Sequence, residues 1–195
     1  MAQLVLIRHG ETEWSLSGKH TGRTDVPLTE HGREQAQALG TALRGQAFAL
    51  VMTSPLQRAR DTAHLAGFVD VEVDDDLVEW DYGGYEGRTT PEIASELGRP
   101  WTLFGDGVPA GETPGESLEE VAARAEQVLA RVVPLLEADD DVALVGHGHH
   151  LRVLTACWLG LPPDAGARFT LDAGTISRLG FEHGVQVIES WNRRP

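Results

Sequence analysis

The chain has 195 residues, 41% hydrophobic and 24% charged, values that suit a single folded domain with a sizeable core and exclude general disorder. Thirty acidic residues against sixteen Lys and Arg leave a formal charge of −14, a field that repels nucleic acid and anionic membranes. An anionic substrate would therefore need a few arginines gathered into a local positive pocket.

Leu4 to Ile7 is a continuous apolar run, which reads as a strand buried on both faces, and it ends at Arg8-His9-Gly10. A polar, Gly-containing loop comes next. Thr29 is placed to cap a helix over about Glu30 to Arg44, with Ala36, Leu39, Ala42 and Leu43 near one face. Phe48 to Thr53 is the next apolar strand. Ser54-Pro55 then suits an N-cap followed by Pro at the first helical position, predicting a helix through Arg58, Thr62 and Leu65. Val69 to Val73 alternates as a short strand, and Asp74 to Gly87 is an acidic, aromatic, ordered loop.

A short helix is expected from Thr90 to Leu97. Gly105 to Gly115, rich in Gly and Pro, fits a surface lid or a passive connection equally well. Ser117-Leu-Glu-Glu120 has the capping-box pattern and opens a long helix to about Glu137. Val142 to Val145 is another apolar strand, ending at Gly146-His147-Gly148, with a helix from about His150 to Leu159. Ile176 to Phe181 and Val185 to Trp191 close the chain as a hairpin. Strands alternating with helices predict an α/β sheet with helices on both faces and a single domain over residues 1–195.

Cys157 is the only cysteine, so no internal disulfide can form and a reducing cytoplasm is the expected compartment. The opening residues lack a basic leading segment, and no stretch approaches the roughly 20 apolar residues of a membrane span. No membrane or nucleic-acid partner is expected; a homodimer is compatible with the sequence.

Four segments carry chemistry. Ligands of open α/β sheets sit beyond the carboxyl ends of the strands, so His9 and His147, each just past a strand, can share one site. A strand-end histidine can act as nucleophile through one ring nitrogen while the other donates to a backbone carbonyl. Arg8 beside it offers a planar fork for phosphate oxygens, and Gly10 allows a close backbone approach to a ligand. Arg58 and Arg60 come after the second strand but cannot share a helix face, so one can enter the site while the other meets solvent or Asp61. Gly146-His147-Gly148-His149-His150 starts a helix, where backbone N–H groups favour anions. A zinc reading of these histidines lacks the H-E-x-x-H or C-x-x-C spacing. Glu79, Asp81 and Glu86 lie among aromatics. A carboxyl partly desolvated in this way suits a general acid, and the residues alone do not choose among the three.

These segments, in this order, resemble the histidine phosphatase superfamily of phosphoglycerate-mutase-like enzymes over nearly the whole chain. Trp14 to Thr29, Val73 to Leu77 and Arg99-Pro-Trp101 are similar to its sedoheptulose-bisphosphatase-like and broad-specificity acid phosphatases. The resemblance implies a three-layer α/β/α sandwich with a mostly parallel central sheet, and a phosphatase that uses no metal and no other cofactor. It implies that His9 accepts the phosphoryl group and that Arg8, Arg58 and His147 hold its oxygens, with Gly148 beside them. Glu79 matches the family's proton donor. Thr21 and Gly22 match its substrate loop and Tyr82 a residue near the substrate. Ser15 stands where mutases usually carry Asn, and the longer insertion bearing their substrate arginines is missing. Both departures point away from a cofactor-dependent mutase and towards hydrolysis of small phosphorylated metabolites, sugar phosphates above all. A silent phosphate-binding module is the remaining alternative, although every matched chemical position is filled.

Overall fold

The computed structural model describes residues 2–195. In chain order its elements are β1 (Leu4–Arg8), α1 (Glu13–Ser17), α2 (Glu30–Ala42), β2 (Leu50–Thr53), α3 (Gln57–Leu65), β3 (Glu72–Val73), α4 (Thr90–Leu97), α5 (Leu103–Asp106), α6 (Leu118–Glu137), β4 (Val142–Gly146), α7 (Gly148–Trp158), β5 (Ile176–Glu182) and β6 (Val185–Arg193). The six strands form one sheet in the order β3-β2-β4-β1-β5-β6. β3, β2, β4 and β1 run parallel; β5 and β6 add an antiparallel hairpin beside β1.

The apolar run of β1 is buried on both faces because each face meets helices. Leu4 and Leu6 join β4 residues Val142 and Leu144 in a core closed by α6 and α7, through Val121, Val128, Leu151 and Trp158. Val5 and Ile7 point the other way, into a core closed by α2 and α3 through Leu39, Ala59 and Ala63. Fully burying such a side chain contributes roughly 1.5–3 kcal/mol, so the alternation along β1 fixes its register. The result is the expected three-layer sandwich. Among the described residues no helix is long and apolar enough to cross a membrane.

The helix starts obey local chemistry. Thr29 accepts from Gly32 N–H at α2, and Thr89 and Ser117 make full capping boxes at α4 and α6. Three expectations need correction. Ser54 does not cap α3; the cap position is Leu56, and Asp25 accepts from Gln57 N–H (2.8 Å) in place of a local cap. The strand predicted over Val69 to Val73 is reduced to Glu72–Val73, paired with β2 alone. The loop after β1 contains α1, opened by a Thr12–Ser15 capping box that lacks the usual Glu or Gln. Residues 105–115 are largely exposed and are tied to the 74–87 loop: Pro109 accepts from Gly84 N–H (2.7 Å), and a Cβ on Gly83 would lie 2.2 Å from the same carbonyl oxygen.

Candidate active site

The site begins with a strand register. β1 and β4 are neighbours, and Arg8 pairs with Gly146, so the next residue of each strand emerges side by side. His9 N–H donates to Gly146 O (3.0 Å), and the His9 and His147 rings lie 5.1 Å apart between centroids. β2 flanks β4, which brings Ser54 and α3 to the same edge.

His9 is 4% exposed. Its Nδ1 lies 2.7 Å from the Gly10 carbonyl oxygen, which can only accept; the ring proton is therefore on Nδ1, and Nε2 carries a free lone pair. Burial, then the Arg58 and Arg8 charges, push the imidazole well below its usual value, which keeps it neutral and nucleophilic. Gly10 packs closely against α2, where a Cβ would lie 2.2 Å from Gly32 O.

His147 is fully buried, and the Arg58 Nε–H (3.2 Å) donates to its Nδ1. The proton then sits on Nε2, which donates to Ser54 Oγ (2.7 Å). Both ring nitrogens are engaged, so donation to a phosphoryl oxygen requires Ser54 to give up its bond. Arg58, also fully buried, donates NH1 to Thr24 O (2.9 Å) and NH2 to Thr21 O (2.9 Å) and Gly22 O (3.1 Å). One NH1 hydrogen of its five remains for a ligand. Arg60 is exposed. Arg8 donates NH1 to Leu171 O, while its buried Nε has no partner. Gly148 sits against that guanidinium, with room for a Cβ only 3.2 Å from Arg8 Cζ.

The three carboxyls of the Glu79 loop separate cleanly. Glu79 accepts from Trp80 N–H (2.9 Å), His149 N–H (3.0 Å) and His150 N–H (2.8 Å), which seats it at the start of α7. Asp81 accepts from Gly83 N–H (2.9 Å) and from the Thr113 hydroxyl. Glu86 accepts from Gly22 N–H (2.9 and 3.0 Å) and Thr24 N–H (3.1 Å). The loop 21–24 is thus clamped from two sides, its carbonyls by Arg58 and its N–H groups by Glu86.

A cavity of about 180 Å³ is lined by Arg8, His9, Ser15, Thr21, Glu79, Tyr82 and Gly148. Of the three acids only Glu79 reaches it. Arg58, His147 and Gly22 stand behind its wall: Gly22 has no room for a side chain, with Trp80 O 2.6 Å from a built Cβ. The Ser15 hydroxyl is spent on the Thr12 capping box. The Tyr82 hydroxyl is 2.6 Å from His149 Nδ1, and burial followed by Glu79 pushes its phenol well above its usual value. Among the described residues no group of three His, Cys, Asp or Glu side chains is placed to share a metal ion. Sequence reading missed Lys19, His20, His149 as a wall, and Arg152, which also line the cavity. His20 sits in a polar loop and Arg152 on a helix, where neither stands out by spacing.

The family model of the histidine phosphatase superfamily (branch 1) matches residues 4–194. The chain belongs to that superfamily. This histidine phosphatase is 43% identical over 188 residues to an acid phosphatase of Mycobacterium tuberculosis, covering 95% of this chain and 90% of the relative. It is 36% identical over 186 residues to the sedoheptulose 1,7-bisphosphatase of Saccharomyces cerevisiae, covering 80% and 67%. The solved structure of an open reading frame product from Mycobacterium tuberculosis superposes with a TM-score of 0.91 at 40% identity, covering 99% of this histidine phosphatase and 98% of that chain.

Proposed function

We propose that this histidine phosphatase hydrolyses phosphate monoesters of small metabolites, sugar phosphates foremost, through a phosphohistidine at His9. The observation that carries the reading is the His9 tautomer. Its Nδ1–H is held by Gly10 O, which leaves Nε2 free, and His9 lines a cavity together with Arg8 and Glu79. The relatives named acid phosphatase and sedoheptulose bisphosphatase support the same reaction class.

In the first half-reaction the Nε2 lone pair forms an N–P bond as the ester P–O bond breaks. The Glu79 carboxyl passes its proton to the departing alkoxide. Arg8, whose buried Nε lacks a partner, supplies a donor for the equatorial oxygens, and the Gly148 side of α7 adds to it; the one free Arg58 N–H lies behind the cavity wall and joins only if it is uncovered. In the second half, water attacks phosphorus, the Glu79 carboxylate takes its proton, the N–P bond breaks and neutral His9 returns.

The test is trapping during turnover. With a phosphorus-labelled sugar phosphate, enzyme denatured in alkali should carry label that is stable to base, lost in acid and absent from His9→Ala. No such label during steady turnover overturns the reading, as does activity abolished by EDTA and restored by zinc. With 3-phosphoglycerate and bisphosphoglycerate, free phosphate should accumulate and 2-phosphoglycerate should not.

A further inference from the structure

The Arg8 guanidinium is held from outside its own strand. NH1 donates to Leu171 O, and that bond sets the plane in which the unpartnered Nε–H is presented. The same loop grips the strand end. Gly174 N–H donates to His9 O (2.9 Å) and to Arg8 O (3.2 Å), and Arg8 N–H donates to Thr175 O (3.2 Å). Residues 171–175 are thus the template for both the nucleophile and its neighbouring arginine. They belong to no helix or strand, so something else must fix their shape.

The end of β6 does so. Asn192 Oδ1 accepts from Asp172 N–H (2.7 Å), one residue beyond Leu171 in the chain. The Trp191 indole N–H donates to Thr170 O, and its ring packs against Phe169 at 5.5 Å between centroids. Regular strand geometry would not aim Asn192 at this loop. Between the pairs Ile176–Arg193 and Arg178–Ser190, β6 advances three residues while β5 advances two, so β6 carries one extra residue. Such a bulge bends the strand and re-aims a side chain. Asn192 takes φ 54°, the left-handed region that Asn enters more readily than most residues, and its N–H donates to the buried Ser177 hydroxyl (3.0 Å). The irregular strand end therefore delivers one carboxamide to the loop that holds Arg8. The Arg194–Asp172 ion pair nearby is 3.8 Å long and exposed on both sides, and such a pair contributes little.

We propose that the end of β6 is a clamp on the Arg8 loop, with Asn192 as a positioning residue. By capping Asp172 N–H it locks residues 171–175, and through Leu171 O it holds the Arg8 guanidinium in the plane that meets phosphoryl oxygens. This rests on the reading of the first cavity as the phosphoryl site. Asn192 touches neither substrate nor reacting atoms. Its effect is on the grip of the phosphoryl group, equal for every leaving group, and the proton delivered by Glu79 is untouched.

The experiment uses the full chain and inorganic phosphate as the probe, because phosphate has no leaving group. Asn192→Gly keeps the left-handed backbone and removes only the carboxamide, whereas Asn192→Asp keeps both the conformation and an acceptor. In Asn192→Gly the inhibition constant of phosphate should rise about tenfold, and kcat/KM should fall by a similar factor on p-nitrophenyl phosphate and fructose 6-phosphate alike. Asn192→Asp should stay within about twofold of the wild type. Arg8→Lys has no fork to align, so adding Asn192→Gly to it should weaken phosphate by less than about twofold more. An unchanged phosphate constant in Asn192→Gly overturns the proposal, even if that variant melts earlier. An equal loss in Asn192→Asp, or a tenfold loss that persists beside Arg8→Lys, overturns it as well. If Asn192→Gly does not fold, Trp191→Phe decides: it keeps the ring on Phe169, removes the bond to Thr170 O, and should raise the phosphate constant about threefold. No rise there overturns the clamp. Failure of the wild type to release phosphate even from p-nitrophenyl phosphate overturns the phosphatase reading itself, whereas release there with a phosphate constant unmoved by these variants overturns only the clamp.

Discussion

In the phosphoryl cavity main-chain groups hold the reacting side chains: His9, just past a strand end, by Gly10 O, and Glu79, on a loop, by three N–H groups. A second chamber beside it is walled by ring faces with Arg152 and Arg168 among its lining, and it is more than four times larger, about 810 Å³ against 180 Å³. The first arrangement fixes atoms to within the tolerance of a chemical step. The second fixes only a shape and a charge, which is what discrimination among leaving groups needs. Chemistry and specificity are therefore separable here, and substitutions on the two sides should fail in different ways.

The largest effect belongs to the nucleophile. His9→Ala should lower kcat on every substrate by at least about 10⁴-fold, whatever its leaving group, because the covalent route disappears. Initial rates of phosphate release from p-nitrophenyl phosphate and a sugar phosphate check this. A loss confined to the sugar phosphate would place His9 on the specificity side and break the comparison.

Glu79→Gln comes next. Its amide cannot supply a proton to an alkoxide, so sugar phosphates should slow by about 10²–10³-fold. The p-nitrophenolate leaves without help, so that substrate should slow by less than about tenfold. Equal slowing of both removes Glu79 from the proton-donor role and leaves it only its anchoring bonds to α7.

Much of the catalytic side is legible in the sequence, and the reason is geometric. Continuous apolar runs such as Leu4 to Ile7 and Val142 to Val145 mark buried parallel strands, and the residues just past the end of each run lie at the ligand-binding edge. Arg8-His9-Gly10 and Gly146-His147-Gly148 are thus placed by their position alone. That the two strands are neighbours is a long-range pairing which no local pattern reports. The same limit hid the sorting of Glu79, Asp81 and Glu86. All three sit in one irregular loop, and their partners lie up to about seventy residues away, at His149, Thr113 and Gly22. Arg152 was illegible for another reason: on α7 it reads as a solvated helix arginine, and only the turn at 163–168 folding over it makes it a wall.

Glu86 tests whether positioning can be told from chemistry. Its two oxygens hold Gly22 and Thr24 N–H groups, and the carbonyls of the same loop hold Arg58. In Glu86→Gln the amide NH2 would face an N–H, and losing such charge-assisted bonds costs about 1–2 kcal/mol. The expected outcome is a roughly tenfold fall in kcat/KM, carried mainly by KM, with the leaving-group dependence unchanged. A leaving-group dependence that changes as it does in Glu79→Gln would mean that Glu86 takes part in proton transfer.

The smallest effect concerns a residue that neither side uses. The His150 main chain serves Glu79, but its fully buried ring has no partner on either nitrogen, and burial followed by the Arg124 charge pushes it well below its usual value. An unpaired buried polar group costs about 1–3 kcal/mol, so His150→Leu, similar in volume and without polar ring atoms, should raise the unfolding free energy by about 1 kcal/mol at neutral pH. Proton linkage sets the sign with pH. In the unfolded chain the imidazole titrates near 6.5, while the native ring stays neutral, so protonation stabilises the unfolded state as pH falls below that value. The stability of the wild type should thus drop on acidification partly through His150, and the advantage of His150→Leu should grow by about 2 kcal/mol between pH 7 and pH 5. Urea unfolding at the two pH values measures it. An advantage that stays constant or shrinks would mean that the native ring takes up a proton over this range, which would require a partner that the neutral, unbonded ring lacks.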